Sequence, residues 1–407
     1  MKKRMIAMLL VVLLVLTLAA CGGGGSGSGG GGGGSAAGGR VASTDDAIRI
    51  AVAAPLTGAR AAYGQGFHNA AILQVENWNA TGGIAGRMIE VVAFDDNDSS
   101  DEAASIAYRI IGEDDIFGVI GSWGSAPSMT AAEIYQENEI IMISPSASHL
   151  DFPGIGDYIF RTQSLMDGAI AILVDMAEGM GLSNVGIMHL ETEWGVATAN
   201  IAERMIEASD SLTVVAREGV VSEENPDYSS AIANFEAAGT EVVFTISAYS
   251  VLAPFARQYR EINPAIELFA TGNAYDQALL NLVSDDFSVV EGLRIPVRFF
   301  ADAARDEVRD FTGRYSAQFG YSPSSLTAQA YDATGILLTA IAAAAESSEA
   351  NVTDDVFEIP TAAIRDAMFA TSYNGVSGLI EFDADGDVAI PEFYRVVVRN
   401  GRFTEGA

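Results

Sequence analysis

Along the chain, short apolar runs alternate with longer segments in which apolar residues recur every three or four positions. The short runs are rich in Val, Ile and Phe, a composition typical of strands that are buried on both faces. They begin at Ile48, and each predicts one β-strand: "IRIAVAAP", "IEVVAFDD", "FGVIGS", "IIMISPS", "NVGIMHLE", "LTVVARE", "EVVFTIS" and "IELFATG".

The segments between these runs have helical periodicity. Phe67, Ala71, Val75 and Trp78 are three or four residues apart and therefore share one helix face. The same spacing predicts further helices over residues 101–112, 126–138, 168–180, 195–208, 228–238, 251–262, 303–319 and 325–346. Alternating strands and helices indicate parallel sheets covered on both sides. Because one sheet does not need so many units, we predict an α/β fold with two doubly wound lobes.

The N-terminus predicts export. A basic start is followed by an apolar run over residues 5–20 that is short for a membrane span, which needs about 20 residues. This arrangement indicates a signal peptide over residues 1–20. The "LAAC" ending resembles the lipobox of bacterial lipoproteins, so we expect lipidation of Cys21; a plain signal peptide with an incidental cysteine is the alternative. Residues 21–45, rich in Gly and Ser, would then tether the body to the outer face of the cell membrane or hold it in the periplasm.

The charge narrows the possible partners. The formal net charge is −32, and the two lysines lie at positions 2 and 3, so no basic stripe exists to bind nucleic acid. Salt adaptation and a GC-rich genome explain this composition equally well. Cys21 is the single cysteine and excludes an intramolecular disulfide.

Catalytic patterns are missing from the sequence. His68, His149 and His189 have no metal-ligand spacing, and no G-x-S-x-G elbow occurs at Ser122 or Ser125. No glycine-rich phosphate loop follows a strand. The "DADGD" segment resembles a calcium loop only weakly and is better interpreted as a hairpin turn, as is "RNGR". We therefore expect no enzyme activity, no cofactor and no metal.

Two neutral, serine-rich loops follow consecutive strands. "GSWGSAP" and "SPSAS" lie where strands lead into helices, the position at which open parallel sheets bind ligands. Ser125 stands where an N-cap would be, two residues before Pro127. Free N–H groups and hydroxyls there suit a small carboxylate. The alternative is that these serines only cap their helices.

Seven segments in order resemble the leucine/isoleucine/valine-binding protein family, the substrate-binding lipoproteins of branched-chain amino-acid ABC importers. They are "APLTGARAAYGQG", "NWNATGGIAGRMIEVVAFDDNDS", "VIGSWGSAPSMTAAEIY", "IIMISPSAS", "YIFRT", "AYDA" and "GLIEFDADGD". The resemblance implies a type I periplasmic binding protein fold, with two lobes joined by three crossovers. Together with breaks near 158–168 and 289–300, it gives an N-terminal lobe of residues 46–163 and 298–377 and a C-terminal lobe of residues 164–297 and 378–407.

The resemblance also implies the ligand contacts. The ligand carboxylate would bind Ser125 in the first serine-rich loop and Ser148 in the second. The second loop would also supply Ala147, and its Ser146 carbonyl would accept from an ammonium group. The pocket walls would include the aromatic residues Tyr63, Trp194 and Tyr249, and we expect Trp123 of the first serine-rich loop to be a further wall residue. Family members that bind amino acids place an acid after the "FATG"-like strand to contact the α-ammonium group. Here Asn273 occupies that position, so either Asp276 takes over this contact or the ligand has no α-ammonium group.

We therefore expect a monomeric, lipid-anchored receptor that delivers a small polar solute to ABC permease subunits, the solute being most consistent with a branched-chain or related amino acid. A binder of an amide, urea or aromatic acid is a second possibility. A ligand-sensing subunit of a membrane receptor, using the same fold, is the alternative from a different functional class.

Overall fold

The computed structural model describes residues 39–43, 47–149, 151–163, 166–221, 226–389 and 392–406. The predicted signal peptide and Cys21 lie outside these residues. The strands are β1 (Gly39–Ser43), β2 (Ile48–Ala54), β3 (Ile89–Asp95), β4 (Ile116–Gly121), β5 (Met142–Ser144), β6 (Ile159–Arg161), β7 (Asn184–Leu190), β8 (Thr213–Val220), β9 (Val242–Ile246), β10 (Glu267–Ala270), β11 (Arg294–Val297), β12 (Asn351–Val352), β13 (Val356–Pro360), β14 (Ser372–Gly375), β15 (Gly378–Glu381), β16 (Tyr394–Arg399) and β17 (Arg402–Glu405).

The α-helices cover the sheets formed by these strands. They are α1 (Ala61–Ala80), α2 (Ser100–Ile111), α3 (Ser125–Glu137), α4 (Met166–Gly179), α5 (Glu193–Glu207), α6 (Ser229–Ala237), α7 (Tyr249–Ile262), α8 (Gln277–Leu282), α9 (Asp306–Phe319), α10 (Ser325–Ala345) and α11 (Thr361–Ala370). Each predicted strand and helix is present, with ends that differ by a few residues. Among the residues that the structure describes, no helix combines the length and apolarity needed to cross a membrane.

The first sheet has five parallel strands in the order β3-β2-β4-β5-β6. Strand β2 is buried along almost its whole length because α1 and α10 cover one face of the sheet while α2 and α3 cover the other. Helix α10 begins with a capping interaction in which the Ser324 hydroxyl accepts the Thr327 N–H at 3.1 Å. This layering confirms the predicted α/β architecture for the first lobe.

The second sheet has seven strands in the order β17-β16-β11-β10-β9-β7-β8. Strands β7, β8, β9, β10 and β11 are parallel, whereas β16 and β17 form an antiparallel hairpin at the edge beside β11. The "RNGR" turn joins the strands of that hairpin, as predicted. Helices α4 and α5 cover one face of this sheet, and α7 packs on the other.

Two predicted boundaries, the end of the tether and the last boundary between the lobes, differ from the contacts in the structure. The tether was predicted to extend to residue 45, but Gly39–Ser43 pairs with β13 as an antiparallel strand because Ala42 can be buried there. Residues 378–389, assigned to the second lobe, contact the first: β15 pairs with β14, and the Phe382 ring lies 5.1 Å from that of Phe160 in β6. The chain therefore leaves the first lobe after residue 389 and enters the second at β16.

Candidate functional site

Loops after β4 and β5 meet at the carboxyl edge of the first sheet. Gly121 has φ 144°, and a Cβ atom there would lie 1.9 Å from the Ala53 carbonyl oxygen, so the turn out of β4 requires glycine. The Ser144 hydroxyl donates to the Ser122 carbonyl at 3.0 Å, and the Ser146 hydroxyl donates to the Trp123 carbonyl at 2.6 Å. These bonds join the two serine-rich loops into one rigid surface.

The prediction that Ser125 is a helix N-cap is wrong. Gly124 has extended backbone angles and is the N-cap of α3, so Ser125 is the first helical residue. The Ser128 N–H donates to the Gly124 carbonyl, whereas the N–H groups of Ser125 and Ala126 have no acceptor within the described part of the chain. Pro127 follows and has no N–H. The positive end of α3 therefore presents two free donors beside the Ser125 hydroxyl.

A cavity of about 180 Å³ lies between the two lobes at this point. It is lined by strand-end loops from both sheets, as expected for ligand sites of open parallel sheets. The lining residues are Arg60, Asp98, Trp123, Gly124, Ser125, Ala126, Pro127, Ser146, Leu190, Thr192, Glu193, Trp194, Ala248 and Asn273. Five predicted site residues are thus brought together: Trp123, Ser125, Ser146, Trp194 and Asn273.

Two predicted wall residues, Tyr63 and Tyr249, lie behind this cavity and do not line it. The Tyr63 ring stacks on Trp123 with centroids 4.6 Å apart and contacts the Tyr249 ring at 4.9 Å. The Tyr63 hydroxyl donates to the Asn273 carbonyl at 2.8 Å and accepts the Tyr249 N–H at 3.3 Å. Tyr63 therefore supports the Trp123 wall and connects the first lobe to the second.

Ala147 and Ser148 belong to a loop whose backbone is held by hydrogen bonds from Arg161. Ala147 is fully buried, and its carbonyl accepts from Arg161 Nη1 at 3.1 Å. The same nitrogen donates to the His149 carbonyl at 2.7 Å, while Arg161 forms a two-bond ion pair with Asp387 of the "DADGD" turn. Ser148 lines a separate cavity of about 30 Å³. Neither Ala147 nor Ser148 lines the cavity of about 180 Å³.

Asp276 does not line the larger cavity either. It is the N-cap of α8, where its Oδ1 accepts the Ala278 N–H at 2.8 Å. Burial raises the pKa of its carboxyl group to about 6, and bonds from the Ala278 N–H and Ser324 hydroxyl oppose that rise. Its side chain faces another cavity, which it shares with Tyr275 and Phe403. In this structure the carboxylate predicted to contact the ammonium group therefore caps a helix.

Three charged residues that line the cavity, Arg60, Asp98 and Glu193, were not predicted from the sequence. The Asp98 carboxylate lies 3.9 Å from Arg60 Nε, and Arg60 also donates to the Ser250 hydroxyl at 3.3 Å and lies over the Trp123 ring at 5.2 Å. Burial raises the pKa of Asp98 to about 6, although Arg60 opposes the shift. A Cβ atom on Gly124 would lie 2.2 Å from Asp98 Oδ1, so glycine is needed for this close approach.

The sequence contained a signal for two of these residues, Arg60 and Asp98. Asp98 follows β3 in "DDNDS", and Arg60 follows β2 in "LTGARAAYG". The carboxyl ends of parallel strands meet at one edge, and that edge already contained the two serine-rich loops. The edge rule therefore predicts both side chains near the cavity, although it cannot predict their orientation.

The sequence model of the family described as periplasmic binding protein matches residues 47–402. Among curated relatives, the Leu/Ile/Val-binding protein homolog 2 of Brucella abortus is 26% identical over 87% of this chain and 91% of its own length. The leucine-, isoleucine-, valine-, threonine- and alanine-binding protein of Pseudomonas aeruginosa is 24% identical over 84% of this chain and 87% of its own.

Solved structures share the fold. A putative branched-chain amino acid ABC transporter protein from Rhodospirillum rubrum has TM-score 0.65 and 29% identity, covering 88% of this chain and 99% of its own. A branched-chain amino acid transporter substrate binding protein from Streptococcus pneumoniae, in complex with isoleucine, has TM-score 0.77 and 22% identity, with 88% and 98% coverage. A solute binding protein from R. palustris in complex with benzoate has TM-score 0.77 and 19% identity, with 88% and 95% coverage.

The family match covers most of the chain, and the relatives are aligned over nearly their whole length. The interpretation of the chain as a substrate-binding protein, and not an enzyme, is confirmed by these relationships. The chain belongs to the periplasmic binding protein family.

Proposed function

We propose that the chain captures a branched-chain or related amino acid in the cavity between its lobes and delivers it to an ABC importer. The observation that carries the proposal is the arrangement of charge in the cavity. Free N–H groups of α3 and the Arg60 guanidinium attract a carboxylate, while Asp98 attracts a cation. A zwitterion matches both attractions at once.

The carboxylate of the solute would lie at the start of α3. The Ser125 hydroxyl and the N–H groups of Ser125 and Ala126 can donate to it, and the helix dipole favours negative charge at this end. Helix α3 has 13 residues, so the backbone dipoles of three full turns contribute. No lysine is needed for this contact.

The α-ammonium group would be bound by Asp98. An ammonium group buried without an anion costs several kcal/mol, so the cavity must supply a carboxylate or several carbonyl groups. Asp276 is engaged at the start of α8, and the Asn273 carbonyl accepts from Tyr63. The Glu193 carboxylate also lines the cavity, but its side chain is largely exposed and lies 3.3 Å from His149 Nε2. Asp98 has a largely buried carboxylate at the cavity wall, and Ser146, whose carbonyl would be a second acceptor, lines the same cavity.

The side chain of the solute would contact the apolar part of the cavity. Trp123, Trp194, Leu190 and Ala248 supply large apolar surfaces, which suit an aliphatic chain. The names of relatives from B. abortus and P. aeruginosa and the isoleucine complex from S. pneumoniae support an amino acid. The benzoate complex from R. palustris makes an aromatic acid the second candidate, because such a ligand needs the carboxylate contacts alone.

A melting-shift screen tests this proposal. Leucine, valine, their deaminated keto acids, urea, short amides and benzoate are compared at equal concentration with protein refolded to remove bound solute. Stabilisation by the amino acids alone supports the proposal, since a solute that binds only the native state raises the melting temperature. Equal stabilisation by benzoate or the keto acids would transfer the assignment to the second candidate.

We also propose that Cys21 carries a lipid anchor and that the chain acts as a monomer. The support is the "LAAC" sequence after the apolar run. Cys21→Ala should release the protein from membranes and leave solute binding unchanged. An N-terminal peptide without a lipid mass in the wild-type protein would contradict the anchor. A sensing role with a membrane receptor is distinguished by testing whether the purified permease complex transports the solute only when this protein is present.

A further inference from the structure

Arg298 is a buried cation that forms no ion pair with any residue that the structure describes. It follows β11 at the crossover between the lobes, and its side chain is almost completely buried. Its Nη1 donates to the Thr162 carbonyl in another crossover segment. Its Nε and Nη2 atoms are buried and have no hydrogen-bond partner among the described residues.

Nearby carboxylates do not neutralise Arg298 by contact. Asp332 and Glu392 act on it electrostatically, but neither forms an ion pair with it within 4.0 Å in the described part of the chain. Both oxygens of Asp332 are occupied by the Val376 N–H and by the N–H and hydroxyl of Ser377. Burial lowers the pKa of Arg298 to about 10, so the guanidinium is still charged at neutral pH.

Arg298 lines the cavity of about 30 Å³ that Ser148 also lines. A water molecule needs about 10–15 Å³ of such space, so this cavity has room for one small anion or about two water molecules. Trp194 and Asn273 line both this cavity and the larger one, which places the two cavities side by side. A solute in the larger cavity could therefore extend a second acidic group towards Arg298.

We propose that this hinge cavity binds a single negatively charged group against Arg298, supplied either as a free halide or as the distal carboxylate of the bound solute. The halide case is independent of the proposed function, whereas the carboxylate case rests on it. Ser148 belongs to the first lobe and Asn273 to the second, so the anion would contact both lobes and stabilise the closed arrangement. Water is the competing occupant, because it could accept from Arg298 and donate to Gln329 Oε1, which has no partner among the described residues.

The first arm of the test uses sodium bromide. Solute-free protein is melted in bromide and in gluconate at the same ionic strength, and crystals grown in bromide are examined for anomalous scattering beside Arg298. We expect a higher melting temperature in bromide for the wild type and for Arg309→Gln, a surface variant with the same loss of charge. Arg298→Gln should lose the difference. If Arg298→Gln does not fold, the halide case is tested by the wild type alone, from its melting temperatures in bromide and gluconate and from the anomalous scattering beside Arg298.

The second arm uses glutamate, 2-aminoadipate and their side-chain amides in gluconate. A distal carboxylate bound to Arg298 should give the acids at least about tenfold higher affinity than the amides in the wild type. Arg298→Gln should abolish that preference while leaving leucine affinity unchanged. Failure of leucine to bind either protein would contradict the proposed function alone. The hinge proposal is overturned if bromide gives neither stabilisation nor scattering and the wild type does not prefer the acids.

Discussion

The Tyr63 hydroxyl donates to the Asn273 carbonyl oxygen at 2.8 Å, and this bond joins the two lobes across the cleft. Tyr63 is on α1 of the first lobe, and Asn273 follows β10 of the second. The same tyrosine stacks on Trp123, which lines the cavity. Closure of the lobes and formation of the ligand wall are therefore coupled through one side chain.

Tyr63→Phe should weaken solute binding by about 5- to 100-fold. The substitution keeps the stack on Trp123 but removes two hydrogen bonds between the lobes, one to the Asn273 carbonyl and one from the Tyr249 N–H, and a typical bond of this kind contributes about 0.5–1.5 kcal/mol. The substitution destabilises the closed state, because both bonds form only when the lobes meet. Calorimetric titration measures the affinity.

Tyr135→Phe is the matched control for that measurement. The Tyr135 hydroxyl is buried in the core of the first lobe and has no hydrogen-bond partner among the described residues. Its removal should leave affinity unchanged. Equal affinity of wild type and Tyr63→Phe would show that the two bonds do not contribute to closure.

Ser125→Ala should lower affinity about 10- to 100-fold, because a hydrogen bond to a charged group contributes about 1.5–3 kcal/mol. The melting temperature without solute should change little, since Gly124 and not Ser125 is the N-cap of α3. Ser128→Ala removes a fully buried hydroxyl on the same helix and is the control. A drop in stability without a drop in affinity would assign Ser125 a structural role only.

Asp387→Asn should destabilise the fold by about 3 kcal/mol, because it leaves the fully buried Arg161 guanidinium without its anion. Arg161 holds the carbonyls of Ala147 and His149, so the loop beside the cavity should also loosen. Asp385→Asn changes an exposed side chain in the same turn and should be neutral. Chemical denaturation of the wild type, Asp387→Asn and Asp385→Asn measures their stabilities. Equal denaturation midpoints for the wild type and Asp387→Asn would show that the Arg161–Asp387 pair does not stabilise the fold.

Amino-acid affinity should fall as the pH drops below about 6. Burial raises the pKa of Asp98 to about 6 in the protein without solute, so below that value a proton must leave before an ammonium group binds. Asp98→Asn should bind leucine about 10- to 100-fold more weakly at neutral pH and lose this pH dependence. Titrations across about pH 5 to 8 test both statements.

The same shift affects folding in the opposite direction. A carboxyl group with a folded-state pKa above its unfolded value binds more protons when folded, so its contribution to stability decreases as pH rises from about 4 to about 6. The gain in stability from Asp98→Asn should therefore be larger at about pH 7.5 than at about pH 4.5. An equal gain at both values would contradict the raised pKa.

Much of the fold could be predicted because apolar periodicity is a local property. Strands β2 to β5 and β7 to β10 each contain a short apolar run, and turn residues mark the β16–β17 hairpin. Strand β1 was missed because Gly39–Ser43 has little apolar character and is stabilised by pairing with β13. The third crossover was misplaced because the Arg161–Asp387 pair and the Phe160–Phe382 contact are long-range interactions.

The candidate site was harder to predict than the fold. The serine-rich loops were found because strand ends are recognisable, and Trp123, Ser125 and Ser146 do line the cavity. The direction of each side chain depends on tertiary packing: Asp276 turns to cap α8, and Asp98 reaches Gly124. Spacing along the chain does not encode these directions, so Asp98 was not among the predicted site residues, and Asp276, one of the two alternatives left open, lines a different cavity.

The central claim is that the cavity recognises the zwitterionic end of an amino acid. Calorimetric titration of the wild-type protein with leucine and with its keto acid, 4-methyl-2-oxopentanoate, tests it most directly. The two compounds have the same side chain and carboxylate, and they differ in the ammonium group that Asp98 would bind. We expect leucine to bind at least about tenfold more tightly than the keto acid, since an ionic hydrogen bond contributes about 1.5–3 kcal/mol. Equal affinity for the two compounds would contradict the claim.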